Sequence, residues 1–327
     1  MQKVVRIVEA DPASRKAVVL SACRGVTDAL LTLIALAERQ DPTLEDRIEE
    51  LRLRHVGIAR ELLDSDLYDE FVLGLDRDCQ DIAGILQTVR LVRSASTTLR
   101  DLISGYGEIW STRMFERLLR RRGASSGRVQ WLDARRVLLV EWGPLGPGIR
   151  WDQSRANLHA EVPPDFTGTL VVTGFIATDT QGLQTTLGRN GSDFSASIFG
   201  SLLDAGEIVI WTDVDGVLSA APRLVPEAQV IDEISYNEAM ELAYFGAKVI
   251  HPQTMAPAVA KRIPIWIRNT FSPGKAGTLI HDRTAPSPLV KGITTVEKIA
   301  LLNLEGAGMI GVPGTAHRLF GALREEG

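Results

Sequence analysis

The sequence predicts an α/β fold: a mainly parallel central sheet with helices packed on both faces, three α/β/α layers in all. Two observations carry this. After residue 128 the chain offers short runs rich in β-branched and aromatic residues, "RVQWLDA", "VLLVEW", "TLVVTGFIA", "EIVIWTD" and "IPIWIRN". Most are apolar through their centre rather than alternating, as strands buried on both faces are. Helical segments at Ser192–Ala205, Tyr236–Gly246 and Thr254–Arg262 separate several of them, which is the alternation of a parallel sheet with crossover helices.

The front third is mostly helical. "KAVVLSACRGV" (Lys16–Val26) reads as a buried strand ending in a small-residue turn, and Thr27 is placed as the cap of a helix through "DALLTLIALAERQ". Asp41-Pro42 ends that helix, since proline cannot continue it. "TLED" (Thr43–Asp46) has capping-box spacing and opens a second helix with leucines at helical spacing. Helical patterning runs on, with breaks, to about Arg122, where "LLRRRG" puts cations in a last turn at the negative end of the helix dipole. Further on, Ser235–Glu238, "SYNE", is a second capping box. "FSPGKAGTLIHDRTAPSPLVKG" (Phe271–Gly292) is rich in Pro and Gly and reads as the end of the large domain and a linker. Domains are therefore expected at 1–285 and 286–327, the second holding one strand, a glycine turn and one helix.

Composition excludes several classes. The 327 residues suffice for two domains and a sizeable core, and 45% are hydrophobic, as in a folded globular chain. A formal charge of −5 and a pI near 5.7 argue against a nucleic-acid partner. Cys23 and Cys79 lie far apart with no CxxC spacing, so neither a disulfide framework nor a zinc site is expected. The opening "MQKVVRIVEADPASR" is too charged for a signal peptide, and no apolar run reaches the ~18 residues of a membrane span. A cytoplasmic location is the expectation.

Ligands of open α/β sheets bind at the carboxyl ends of strands, where helix N-termini offer free N–H groups. Gly188 and Gly191 flank Arg189, and Ser192 and Asp193 start the next helix. A guanidinium there can grip a carboxylate in two-pronged fashion; the residues equally suit an ordinary turn with a capped helix. "WTDVDGV" puts Thr212, Asp213 and Asp215 at another strand end, where they suit a ribose hydroxyl, a magnesium ion or simply an Asp-Gly turn. Lys248 in "FGAKVIHP" is a point charge fit for phosphate. "SGYGEIWS" sets Glu108 among small residues in a helix, a sign of close approach by a ligand or another backbone. Ser21 and Thr27 close the first strand. Near the end, Gly306, Gly308 and Gly311 match the dinucleotide fingerprint, but too little chain follows for the rest of that unit.

Together these stretches resemble the aspartate kinases of the amino-acid-kinase family. The matching pieces come in family order: "VVLSACRGVTDALL", "SGYGEIWSTRMF", "GFIATDTQGLQTTLGRNGSDFSA", "IWTDVDGVLSAAPRLVP" and "SYNEAMELAYFGAKVIHPQTMAPA". They cover nearly the whole chain. The tail "VEKIALLNLEGAGMIGVPGTAHRLFGAL" is similar to the opening of a regulatory ACT region, with wording closest to the bifunctional aspartate kinase–homoserine dehydrogenases. The resemblance implies an amino-acid-kinase fold followed by a truncated ACT region, and transfer of the ATP γ-phosphoryl to the side-chain carboxylate of L-aspartate, with Mg2+ bound through the phosphates. It implies that Arg189 holds the α-carboxylate of aspartate, that Glu108 and Asp193 hold its ammonium and organise the centre, and that Ser21, Thr27 and Ser192 line the same pocket. Thr212, Asp213, Leu218, Arg223 and Lys248 would hold the nucleotide. L-aspartate and ATP are the implied partners, with a homo-oligomer in the full-length parent.

Two departures stand out. The family usually has Tyr where Leu218 stands and Asp where Ala221 stands. Its opening "KFGGTS" loop has no counterpart, so the chain reads as a fragment of a larger enzyme whose "MQKVVRIV" matches the helix after that loop. A different class of function, a non-catalytic amino-acid-kinase module for ligand sensing or assembly, fits those departures. The glutamate kinases, a third possibility, lack the combination of "SGYGE", "GRNGSD" and "FGAKVIHP".

Overall fold

The computed structural model describes residues 1–123, 128–144, 146–244, 251–282, 290–295 and 314–326. The chain divides into two compact units, Met1–Thr294 and Thr295–Gly327. In the second, the described residues form one helix, α11 (Thr315–Glu326). The glycine-rich motif at 306–311 lies outside the described residues.

In the first unit, α1 (Gln2–Ala10) closes with a borrowed cation: Lys16 Nζ donates to Val8 O at 2.8 Å and Asp11 O at 2.7 Å. β1 (Arg15–Leu20) then pairs in parallel with β5 (Gly168–Thr173), and β5 with β2 (Val129–Leu132). All six residues of β5 are buried, as its continuous apolar run requires. Between β1 and β2 lie α2 (Val26–Glu38), α3 (Leu44–Leu62), α4 (Ser65–Val92), α5 (Thr97–Ser104) and α6 (Tyr106–Arg122). Trp110, Met114, Phe115 and Leu119 of α6 are fully buried in the core it shares with α2, α3 and α4. α7 (Trp151–Glu161) precedes β5.

A second sheet runs in the order β8 (Ile208–Thr212), β10 (Ile265–Asn269), β11 (Thr278–His281), β9 (Glu233–Ser235). β8 and β10 are parallel, as are β11 and β9, and only β10–β11 is antiparallel. α8 (Gly191–Leu202) packs against α10 (Pro252–Ala260) and against both β1 and β8. It therefore spans the two sheets. α9 (Tyr236–Tyr244) covers β9 and β11. A third sheet, β4 (Gly146–Ile149), β3 (Leu139–Gly143), β6 (Ile176–Asp179), β7 (Gln184–Thr186), is two hairpins joined by a parallel β3–β6 pair. Helices with mostly parallel sheets match the α/β reading, but the strands are divided among three sheets where one central sheet was expected.

Several details differ from it. Thr27 is not a cap: α2 starts from Gly25, whose φ of 75° lets the backbone turn without a side-chain cap. The "TLED" box does not close. Thr43 instead donates its N–H and hydroxyl to Asp41 Oδ1, a local turn that outcompetes the cap. "SYNE" does close, with Ser235 N donating to Glu238 Oε2 at 2.7 Å and Glu238 N to Ser235 Oγ at 3.2 Å. "TLVVTGFIA" is two strands in two sheets, broken at Gly174 and Phe175. The Pro- and Gly-rich stretch read as the end of the large domain and a linker contains, in its domain part, a strand the sequence did not announce, β11, because its short apolar "TLIH" finds edges on both β10 and β9.

Candidate active site

The carboxyl ends of β1 and β5 meet the N-terminus of α8 and the first turn of α6. Gly174 makes the meeting possible. Its N–H donates to Leu20 O at 2.9 Å, and a Cβ on it would lie 2.8 Å from that same oxygen and 2.9 Å from Ser192. Phe175 follows with φ 68°, a conformation costly for a side chain of its size. Ser195 Oγ holds it by accepting the Phe175 N–H at 2.9 Å, and its ring packs where a Cβ on Gly191 would be. The sequence reading missed Phe175, since nothing in "TGFIA" announces a positive φ.

Glu108 sits in the first turn of α6, only 3% exposed. Its Oε1 accepts the Ala22 N–H at 3.2 Å, and its Oε2 has no partner among the described residues. Burial pushes its pKa up to about 7, against the smaller pull of its backbone hydrogen bonds. Ser111, one turn on, donates to Ser21 O at 2.7 Å and locks the β1 loop to α6. A Cβ on Gly107 would lie 2.7 Å from Ala22 Cβ, the close backbone approach that the small residues of "SGYGE" suggested. Ser21, Glu108 and Ser192 are thus brought together around the end of β1. Thr27 lies half-buried in the first turn of α2.

The loop between β7 and α8 carries the cation. Gly188 and Asn190 both have positive φ, 75° and 55°, which turns Leu187 inward and leaves the Arg189 side chain exposed with no partner among the described residues. Asp193, in the first turn of α8, is half-buried, and desolvation raises its carboxyl pKa. It lines a gap of about 10 Å³ with Ser197, Thr254 and the β8–β10 residues Ile210 and Ile265. That space suits about one water. Asp193 therefore stands between the β1–β5 ends and the second sheet.

On that sheet, β8 ends at Thr212, whose hydroxyl is 3.4 Å from the Asp213 carboxylate. Asp213 and Arg223 are exposed, and Leu218 is half-buried, paired with Val230 in an isolated bridge. Asp215 is already engaged: Lys275 donates to its Oδ2 at 2.6 Å and Asn269 to its Oδ1 at 2.7 Å. These bonds, the lysine's first, hold its pKa below the usual carboxylate value. Of the acids in "WTDVDGV", only Asp213 remains open to a ligand. Lys248 lies outside the described residues. Among the described residues no three acidic, histidine or cysteine side chains gather as metal ligands. A larger cavity of about 300 Å³ lies near Arg121, roughly 20 Å along α6 from Glu108.

Comparisons with known proteins identify the family. The amino acid kinase family model matches residues 1–269. The bifunctional aspartokinase/homoserine dehydrogenase of Daucus carota is 39% identical over all of this chain, which spans 36% of that protein's length. The lysine-sensitive aspartokinase 3 of Escherichia coli is 34% identical over 99% of the chain and 70% of its own length. A crystal structure of E. coli aspartokinase III in complex with aspartate and ADP superposes with a TM-score of 0.79 at 32% identity, covering 89% of this chain and 63% of that one. This chain belongs to the amino acid kinase family.

Proposed function

We propose that this chain is the kinase part of an aspartate kinase, moving the γ-phosphoryl of ATP onto the side-chain carboxylate of L-aspartate to give 4-phospho-L-aspartate and ADP. This is the first step towards lysine, threonine and methionine. The observation that carries it is Glu108, a buried carboxylate with one oxygen unmet at the end of β1, a place that calls for a cation such as the substrate's ammonium. The solved relative that holds aspartate and ADP supports the same reading.

The chemistry asks little of a base. The aspartate side chain is already ionised at neutral pH, so its oxygen attacks the γ-phosphorus directly. The bond to the β-phosphate oxygen breaks, ADP leaves with that electron pair, and no proton changes hands. What the protein supplies is position and positive charge. Arg189 takes the α-carboxylate as a two-pronged partner. Glu108 takes the ammonium, while Ser21, Thr27 and Ser192 line the pocket. Asp193 organises the centre between the two ligands. Thr212, Asp213, Leu218 and Arg223 hold the nucleotide, and Lys248 meets its phosphates. Magnesium would come as the counter-ion of ATP, held through its phosphates rather than by a cluster of protein ligands, and would offset their charge. The residues after Thr294 are assigned as the opening of an ACT region, with allosteric control and a homo-oligomer in the parent protein. No helix among the described residues is long and apolar enough to cross a membrane, and a cytoplasmic setting goes with this reading.

The test is ATP- and aspartate-dependent acyl phosphate formation, trapped with hydroxylamine. Hydroxamate that appears only with both substrates, and disappears in Arg189→Ala, supports the kinase. Aspartate binding with no hydroxamate overturns it in favour of a ligand-sensing module.

A further inference from the structure

Asp101 lies on α5, seven residues before Glu108, outside the candidate site. Its carboxylate is nonetheless fully used. Oδ2 accepts the Thr185 hydroxyl at 2.9 Å and the Thr186 N–H at 3.3 Å, and Oδ1 accepts the Thr186 hydroxyl at 3.3 Å. Both threonines are buried, at 5% and 6% exposure. The Asp101 backbone carbonyl joins in, accepting Gln184 Nε2 at 2.9 Å. Gln184 reaches it because Gly105 has no side chain: a Cβ there would lie 2.4 Å from that nitrogen. One helical turn therefore grips all three residues of β7.

β7 ends at Thr186, three residues before Arg189. Leu187 N donates to Phe175 O at 2.7 Å, and Gly191 N to Gly188 O at 3.1 Å, so the loop between is short and tied at both ends. Meanwhile α5 runs through Gly105 into α6, whose Glu108 and Ser111 hold the β1 loop at Ala22 and Ser21. The α5–α6 pair is thus one bar fastened to two loops, and each loop or its anchor carries a group of the amino-acid pocket.

Taking the proposed function as given, we infer that Asp101 is a positioning residue for aspartate binding, fixing the Arg189 loop relative to Glu108 through β7. A carboxylate suits this place because all its partners are donors. Asparagine would keep one accepting oxygen and turn an NH2 towards donors. The register between a guanidinium and a carboxylate acceptor then sets how well one amino acid, with charges of fixed spacing, fits both.

The experiment measures aspartate and ADP affinity by calorimetry, together with amide exchange at 185–191, for the chain and for Asp101→Asn and Asp101→Ala. The inference expects aspartate affinity to fall about tenfold in Asp101→Ala and less in Asp101→Asn. ADP affinity should stay within about twofold, and exchange should rise at Thr186 and Leu187. In an Arg189→Lys background the added Asp101→Asn change should cost little more, because both act through one contact. Equal losses for aspartate and ADP, or full additivity with Arg189→Lys, overturn it as a merely structural effect. If Asp101→Ala fails to fold, Asp101→Asn decides alone. If the unaltered chain binds ADP but no aspartate, the functional reading itself fails, and this inference with it.

Discussion

On the proposed amino-acid side of the site, Glu108 is buried with an oxygen unmet among the described residues, Phe175 is held at a positive φ, and Gly174 is wedged between Leu20 and Ser192. On the proposed nucleotide side, Asp215 is bonded to Lys275 and Asn269, while Asp213 and Arg223 lie at the surface. The first region carries strain and an unsatisfied polar group. The second is locally satisfied and open to water. A pocket for a small zwitterion must present its charges in fixed places before the ligand arrives, and the folded state bears that cost. A surface that meets a nucleotide's phosphates and ribose can rely on exposed groups and on counter-charge the ligand brings.

Substitutions that break this contrast should differ in size. The largest effect is expected at Arg189→Ala, which removes the pocket's exposed guanidinium. Hydroxamate formation should fall by about a thousandfold or more, with ADP affinity unchanged by calorimetry. Next is Glu108→Gln, which tests the stored cost. With its pKa at about 7, up from 4.5, Glu108 holds a proton in the folded state that it loses in the unfolded state between those values. Folded stability should therefore fall as pH rises from about 4.5 to 7, by about 3 kcal/mol for this one group. The glutamine variant should be more stable than the parent by that amount at pH 8 and about equal at pH 4, in urea titrations, while losing aspartate binding. A variant no more stable at pH 8 than at pH 4, relative to the parent, would remove the strain from the comparison.

Smaller effects are expected on the other side. Leu218→Tyr with Ala221→Asp restores a ring and a carboxylate that the aspartate kinases usually have, and should tighten ADP binding about fivefold without altering aspartate affinity. Smallest of all is Lys275→Ala. It breaks an ion pair whose lysine is 60% exposed, so the melting temperature should move by no more than about 2 °C. A larger shift would mean that the Asp215 loop is as tightly built as the Glu108 side.

The strands and most helices were legible because their apolar runs are long and their periods clear. β11 was not, since "TLIH" is short and sits among Pro and Gly. The hairpin strand β4, "GPGI", carries no strand signal at all and is fixed by its partner β3. Thr27 was misplaced as a cap because Gly25 starts α2 with its own positive φ, whereas Thr43 does hold the N-cap position of α3 but spends its hydroxyl on Asp41 instead of closing the box. At the candidate site, Arg189, Glu108 and Asp193 were legible as candidates from their residue types and neighbours. Phe175 and Asp101 were not, because their part is set by a backbone angle and by threonines more than eighty residues away in the chain, neither of which a local pattern records. Asp215 looked available in the sequence and is not, for want of any sign that Lys275 would reach it.

The most direct measurement is calorimetric titration with L-aspartate and, separately, with succinate, at pH 8 and at pH 6, in buffers of differing ionisation heat. If Glu108 is an uncompensated carboxylate waiting for an ammonium, aspartate binds more tightly at pH 8, releases a proton on binding at pH 6, and outbinds succinate by about a hundredfold. Equal affinity for the two diacids, with no proton released, would contradict the account.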